Sequence, residues 1–249
     1  MTPLTVALYA FVPAVLMLSG FVKGTVGLGM PLIVVSLLGL VLDPRLVLAL
    51  LVMPIVITNI WQAFNTGLPW QLLKRLWPLI IAFALGTWGG AHIIASINPD
   101  VLLAVLGMIV VVFSAITLLN PHWRLPAPWE IWMGPAVGMG SGILNGVSTV
   151  NGPPLAMYLV ALDLNKDDFV AAYALIVLGG SIPLAASYAS VGILGFEEFQ
   201  WSLLALVPVL LGLWLGQHVR RYINPMLFKR ILLYTLIVLG INLIRRGLF

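Results

Sequence analysis

Two stretches of this chain interrupt apolar sequence with residues that could handle an ion: GTVGLGMP at Gly24–Pro31 and GVSTVNGPP at Gly146–Pro154. Each leads into a short apolar run, Leu32–Leu42 after Pro31 and Leu155–Leu162 after Pro153 and Pro154. As helices, runs of about ten residues reach only about 15 Å, half of a ~30 Å bilayer core. Proline suits the first turn of a helix. A helix start presents free N–H groups and the positive end of the dipole, so an anion is its natural guest. The candidate substrate contacts are Gly24, Gly27, Gly29 and Pro31 in the first stretch, with Ser148, Thr149, Asn151, Gly152 and Pro153 in the second. The competing reading is that the glycines only let helices approach closely, as small residues do in membranes.

Lys23 adjoins the first stretch at the place Asn145 holds beside the second. An ammonium at the bilayer centre costs about 2.5–3.5 kcal/mol, and such residues are functional by default. Its role would be countercharge to an anionic substrate; the alternative is a side chain snorkelling to an interface. Histidine is the residue type suited to proton coupling near neutral pH, which makes His92 and His218 the candidates for it. Each follows a tryptophan by four residues, Trp88 and Trp214, so a shared packing role competes with that reading. Asn59, Gln62, Asn65, Ser181 and Asn242 are polar groups whose facing the sequence does not fix. No HExxH, GxSxG or GxxxxGK[ST] motif occurs, and these are the spacings that metal-assisted hydrolysis, acyl transfer and nucleotide binding need. Asp163, Asp167 and Asp168 stand beside Lys166 and read as a solvated turn. There is no cysteine, which removes thiolate metal sites and cysteine nucleophiles. Neither an enzyme nor a metal or other cofactor is expected.

The elements that must position these residues follow from composition. Of 249 residues 8% are charged and 61% apolar, with a mean hydropathy of +1.11, whereas soluble domains carry about 25% charge. Twelve basic and eight acidic side chains cannot clothe a soluble surface of this size. The chain therefore reads as an integral membrane protein. Its net charge of +4 contains no basic run longer than two residues, which fits loops at a lipid surface and not a nucleic-acid partner. The apolar N-terminus lacks the basic n-region of a cleaved signal peptide and reads as a retained first span. Charge-free stretches near 20 residues mark the spans: Thr5–Val22, Leu46–Leu68, Leu76–Ala95 (with a start reaching back toward Leu72), Val101–Leu119, Ile131–Val150, Phe169–Ala189, Trp201–Val219 and Ile231–Ile244.

An internal repeat organises these spans. GTWGGAHIIASINP at Gly86–Pro99 aligns with GLWLGQHVRRYINP at Gly212–Pro225, with Trp, His, Asn and Pro at one constant offset of 126 residues. SGFVKG at Ser19–Gly24 likewise aligns with SGILNG at Ser141–Gly146. The reading is a tandem duplication, in one transporter domain over 1–249: repeat 1 about 5–119, linker about 120–128, repeat 2 about 129–246. Lys74 and Arg75 open the third long span, whereas Glu197 and Glu198 precede its counterpart and Arg220 and Arg221 follow it. By the positive-inside rule corresponding ends face opposite sides, so the repeats are inverted, with 66–75, 120–129, 163–168 and 220–230 in the cytoplasm. The expected fold is all-α, two inverted-topology repeats, each a Gly/Pro-broken leading helical hairpin followed by three long transmembrane helices.

The leading motifs, SGFVKGTVGLGMPLIVVSLL and SGILNGVSTVNGPPLAMYLVAL, resemble those of the TauE/SafE family of sulfite and sulfonate exporters. The first copy departs from that pattern at Lys23 and at Met30–Pro31. The resemblance implies a multi-pass permease of a prokaryotic inner membrane that exports a small anion such as sulfite or a sulfonate. Combined with the residue reading, it gives alternating access around two half-helix N-termini near the midplane, with the anion, the bilayer and protons as partners. An uncoupled anion channel and a membrane subunit of an enzyme complex are the alternatives. Oligomeric state is not encoded in any motif.

Overall fold

The computed structural model describes residues 3–39, 41–65, 70–92, 125–149 and 151–248, with scattered positions between 108 and 119. Among these the chain is all-helical, 88% helix without a strand. In chain order the helices are α1 (Pro3–Val26), α2 (Met30–Leu38), α3 (Pro44–Phe64), α4 (Trp70–His92), α5 (Ala127–Ser148), α6 (Gly152–Ala161), α7 (Lys166–Ser190), α8 (Phe196–Tyr222) and α9 (Pro225–Leu248). Most of the expected span Val101–Leu119 falls outside the described residues, and the first INP turn at Asn98 lies outside them altogether. Three described helices are long and apolar enough to cross a membrane: Arg45–Phe64, Lys166–Ser190 and Phe196–Tyr222.

Local chemistry sets the boundaries. Proline occupies the first turn of α2, α3, α5 and α6, where its missing N–H has no intrahelical partner to lose. The Asp43 carboxylate accepts from Arg45 N at 2.8 Å and starts α3. Asn165 Oδ1 accepts from Asp167 N at 3.0 Å and Asp168 N at 2.9 Å and starts α7. The sequence placed the end of the first span at Lys23, taking a charge as a boundary. The helix instead continues to Val26, because the breaking residues are Gly27 and Gly29, both at positive φ (93° and 94°).

Four helices pair through glycine. α1 lies along α8 and α5 along α4, the two most extensive contacts among the described helices, while α3 and α7 touch each other and α8 and α4 respectively. On the α1–α8 seam, Gly20 and Gly24 face the backbone of Val209, Leu213 and Gly216, and Gly212 and Gly216 face that of Met17, Phe21 and Gly24. On the α4–α5 seam, Gly86 and Gly90 face Met139 and Ile143, and Gly142 and Gly146 face Phe83 and Thr87. Both seams are GxxxG pairings, in which a missing side chain lets backbones touch.

One end of the bundle is tied by polar contacts. Arg75 of α4 forms a bidentate pair with Glu130 of α5, Nε–Oε1 at 2.6 Å and Nη2–Oε2 at 2.8 Å. Leu125 N donates to Ala161 O at 2.8 Å, and Lys166 Nζ donates to Ile223 O at 2.9 Å. The starts of α4, α5 and α7 and the ends of α6 and α8 therefore share that end.

Candidate functional site

The two breaks are built alike. In the first, Gly27 N donates to Lys23 O at 2.7 Å with Gly27 at φ 93°. In the second, Thr149 N donates to Asn145 O at 2.9 Å with Thr149 at φ 59°. These are left-handed helix ends, and a threonine held there carries strain that its surroundings must impose. The breaks also meet: a Cβ on Gly152 would lie 3.7 Å from Leu28 Cδ1 and 3.5 Å from the Tyr173 hydroxyl. The short helices start at Met30 and Gly152, slightly earlier than the apolar runs suggest. Proline limits what those starts can donate. Pro31 removes one N–H from α2, and Pro153 and Pro154 remove two from α6, so the dipole remains but side chains must supply much of the hydrogen bonding.

Lys23 is 2% exposed and its Nζ donates to Asn59 Oδ1 at 2.8 Å. Asn59 Nδ2 donates to Ile55 O at 2.7 Å, which fixes the amide with its oxygen toward the lysine. One turn on, Gln62 Nε2 donates to Lys23 O at 3.0 Å. Trp61 Nε1 donates to Gln217 Oε1 at 2.9 Å. Gln62 Oε1 and Gln217 Nε2 are buried without a hydrogen-bond partner. The lysine does not snorkel; its ammonium is held by a neutral amide of α3.

The second break holds a hydrogen-bonded chain. Tyr173 OH donates to Asn151 Oδ1 at 2.6 Å, Asn151 Nδ2 to Asn145 Oδ1 at 2.6 Å, and Asn145 Nδ2 to Thr87 Oγ1 at 3.1 Å. All four side chains are buried, and together they link α7, the start of α6, α5 and α4. Tyr173, Thr87 and Gln217 were not expected from the sequence; a buried tyrosine in an apolar helix gives no spacing clue, although Gln217 lies inside the repeated motif beside His218. Tyr173→Phe should cost about 1–3 kcal/mol, because it leaves the buried Asn151 oxygen without its donor. Thermal unfolding of detergent-purified protein measures this, and an unchanged midpoint would mean the chain does not hold the break.

The other expected site residues separate. Gly27 sits against Val170 and Gly24 against α8, so Gly24 packs helices. Thr149 is buried at the break. The side chains of Ser148 and Pro153 lie outside the described residues. His92 and His218 are exposed on the helix surface, His92 tilted against Trp88 with ring centroids 4.7 Å apart and His218 stacked on Trp214 at 6.1 Å. His92 Nδ1 is 2.8 Å from Trp88 O. Among the described residues the ring partners of the two histidines are Trp88, Trp214 and Tyr222, none of them in a break.

With this geometry in view, comparison with known families is decisive. Residues 12–243 match the sulfite exporter TauE/SafE family. The chain belongs to that family. No curated protein and no solved structure matches the chain. TauE/SafE is a family of membrane transporters, so the chain is a membrane transport protein at the level the family defines, and the family's transport role agrees with the lack of hydrolase and nucleotide-binding motifs. The match runs through both breaks and both glycine seams, from α1 to α9.

Proposed function

We propose that the chain is a secondary transporter that exports a small anion, sulfite or an organosulfonate, across a prokaryotic inner membrane by alternating access around the two breaks. The observation that carries this reading is Lys23, a cation 2% exposed whose hydrogen-bond partner among the described residues is the neutral Asn59 amide. A buried charge left without a countercharge is costly, and a transported anion would supply that countercharge. The test is saturable flux of sulfite or methanesulfonate into or out of proteoliposomes holding the purified chain. Flux that rises with an imposed proton gradient is expected; non-saturable flux indifferent to the gradient would favour a pore.

The architecture proposed with it is a pair of inverted repeats. The exchanged seams, α1 with α8 and α5 with α4, are what a two-fold relation between halves produces. The left-handed residues Gly27 and Thr149 stand at the same repeat offset as Lys23 and Asn145. The contact of Ala161 O with Leu125 N returns α6 to the end where α5 begins, which supports a re-entrant hairpin. Because the chain has no cysteine, single cysteines report topology directly. Asn224→Cys should react with a membrane-impermeant thiol reagent from the cytoplasmic side and Asn98→Cys from the opposite side; labelling of both from one side would end the inverted arrangement.

A further inference from the structure

We propose, resting on the anion-transport reading above, that the site is matched to a single negative charge and selects monoanions, hydrogensulfite or a sulfonate, over dianions of the same size. Among the described residues the breaks bring one cation into the buried interior. The Lys23 ammonium donates to the neutral Asn59 amide, and neither Gln62, which donates to the Lys23 carbonyl, nor Gln217, whose backbone N adjoins Gly24, carries charge. At the second break the hydrogen-bonded groups are the neutral Tyr173, Asn151, Asn145 and Thr87. The duplication sharpens this count. Asn145 stands where a symmetric site would carry a second ammonium, and it is committed to Asn151 and Thr87. Among the described residues the other buried or paired basic side chains lie at the tied end of the bundle, Arg75 with Glu130, Arg220 with Asp167 and Lys166 with backbone carbonyls.

Two orphaned atoms belong to glutamines beside the Lys23–Gly24 peptide. Gln62 donates to the Lys23 carbonyl, and the Gln217 backbone N lies 2.9 Å from where a Cβ on Gly24 would stand, so both glutamines adjoin the Lys23–Gly24 peptide. The partnerless Gln217 Nε2 is a spare donor for an anion oxygen. The partnerless Gln62 Oε1 is an acceptor and adds no positive charge. Such a site neutralises one negative charge and offers neutral donors for the remaining oxygens. A second negative charge would be taken from water with no cation to meet it, a loss that neutral hydrogen bonds do not return. Of the two ionised forms of sulfite, the hydrogensulfite monoanion is the one that fits.

Methanesulfonate and sulfate are nearly equal in size and shape and differ by one charge. Equilibrium binding of each to the purified full-length protein, at equal ionic strength, should show methanesulfonate at least tenfold tighter. Sulfate bound equally or more tightly would overturn the charge matching and leave the anion site standing; failure of both anions to bind would remove the site itself. Asn145→Lys supplies the missing ammonium and should lower the methanesulfonate preference at least tenfold, and an unchanged ratio in folded Asn145→Lys protein would overturn the proposal. Lys23→Gln provides the second arm, because it removes the one cation that the described residues bring to the breaks: the two affinities should converge, and a preserved tenfold preference would overturn the proposal as well.

Discussion

Lys23→Met should weaken anion binding by about 10- to 100-fold while the protein still folds. A charge-assisted hydrogen bond contributes roughly 1.5–3 kcal/mol, and about 1.4 kcal/mol corresponds to tenfold in affinity. Stability should respond differently. Removing the ammonium relieves the cost of burying a charge beside a neutral partner, while the Asn59 oxygen loses its donor; the two effects oppose each other. The melting temperature should therefore change little while binding falls. Titration of a small sulfonate and a thermal melt on the same preparation test both halves. A large loss of stability with affinity retained would make Lys23 a structural residue. Asn151→Ala should reduce binding less, since it removes a neutral amide already bonded to Tyr173 and Asn145.

Gly212→Ala should destabilise the fold by about 3 kcal/mol, the upper end of what an overpacked interior costs. The added carbon collides with Met17 O and lies 2.8 Å from Phe21 N. Both are backbone atoms of α1, so no rotamer change relieves the contact and the two helices must part. At roughly 2–4 °C per kcal/mol for a chain of this size, the melting midpoint should drop by about 6–12 °C. Gly89→Ala and Gly140→Ala are the controls, since nothing lies within 4 Å of a Cβ at either position. Equal midpoints for Gly212→Ala and the controls would mean that the α1–α8 spacing is not set by glycine.

These two predictions separate roles that look alike in the linear chain. Glycines 24, 27 and 29 fall in one motif, yet Gly24 is spent on the seam with α8, whereas Gly27 and Gly29 supply the positive φ that breaks the helix. Spacing does not tell these apart, because packing faces and turn conformations draw on the same residue type. The histidines illustrate the converse. Their recurrence 126 residues apart marks a shared environment, and that environment is an exposed face beside tryptophan.

Composition, hydropathy and the two broken motifs by themselves determined that the chain is a helical membrane protein, that two Gly/Pro-rich stretches interrupt its helices and which family it resembles. Those properties are written in local sequence: apolar runs of spanning length, proline at helix starts and glycine where φ must be positive. Only the tertiary structure decided which polar groups meet. Lys23 finds Asn59 36 residues away, and Asn145 finds Thr87 58 residues away. A single amide in an apolar helix carries no periodic mark of the direction it faces. Its partner is set by which helices the glycine seams bring into contact, and so by the packing of the whole bundle.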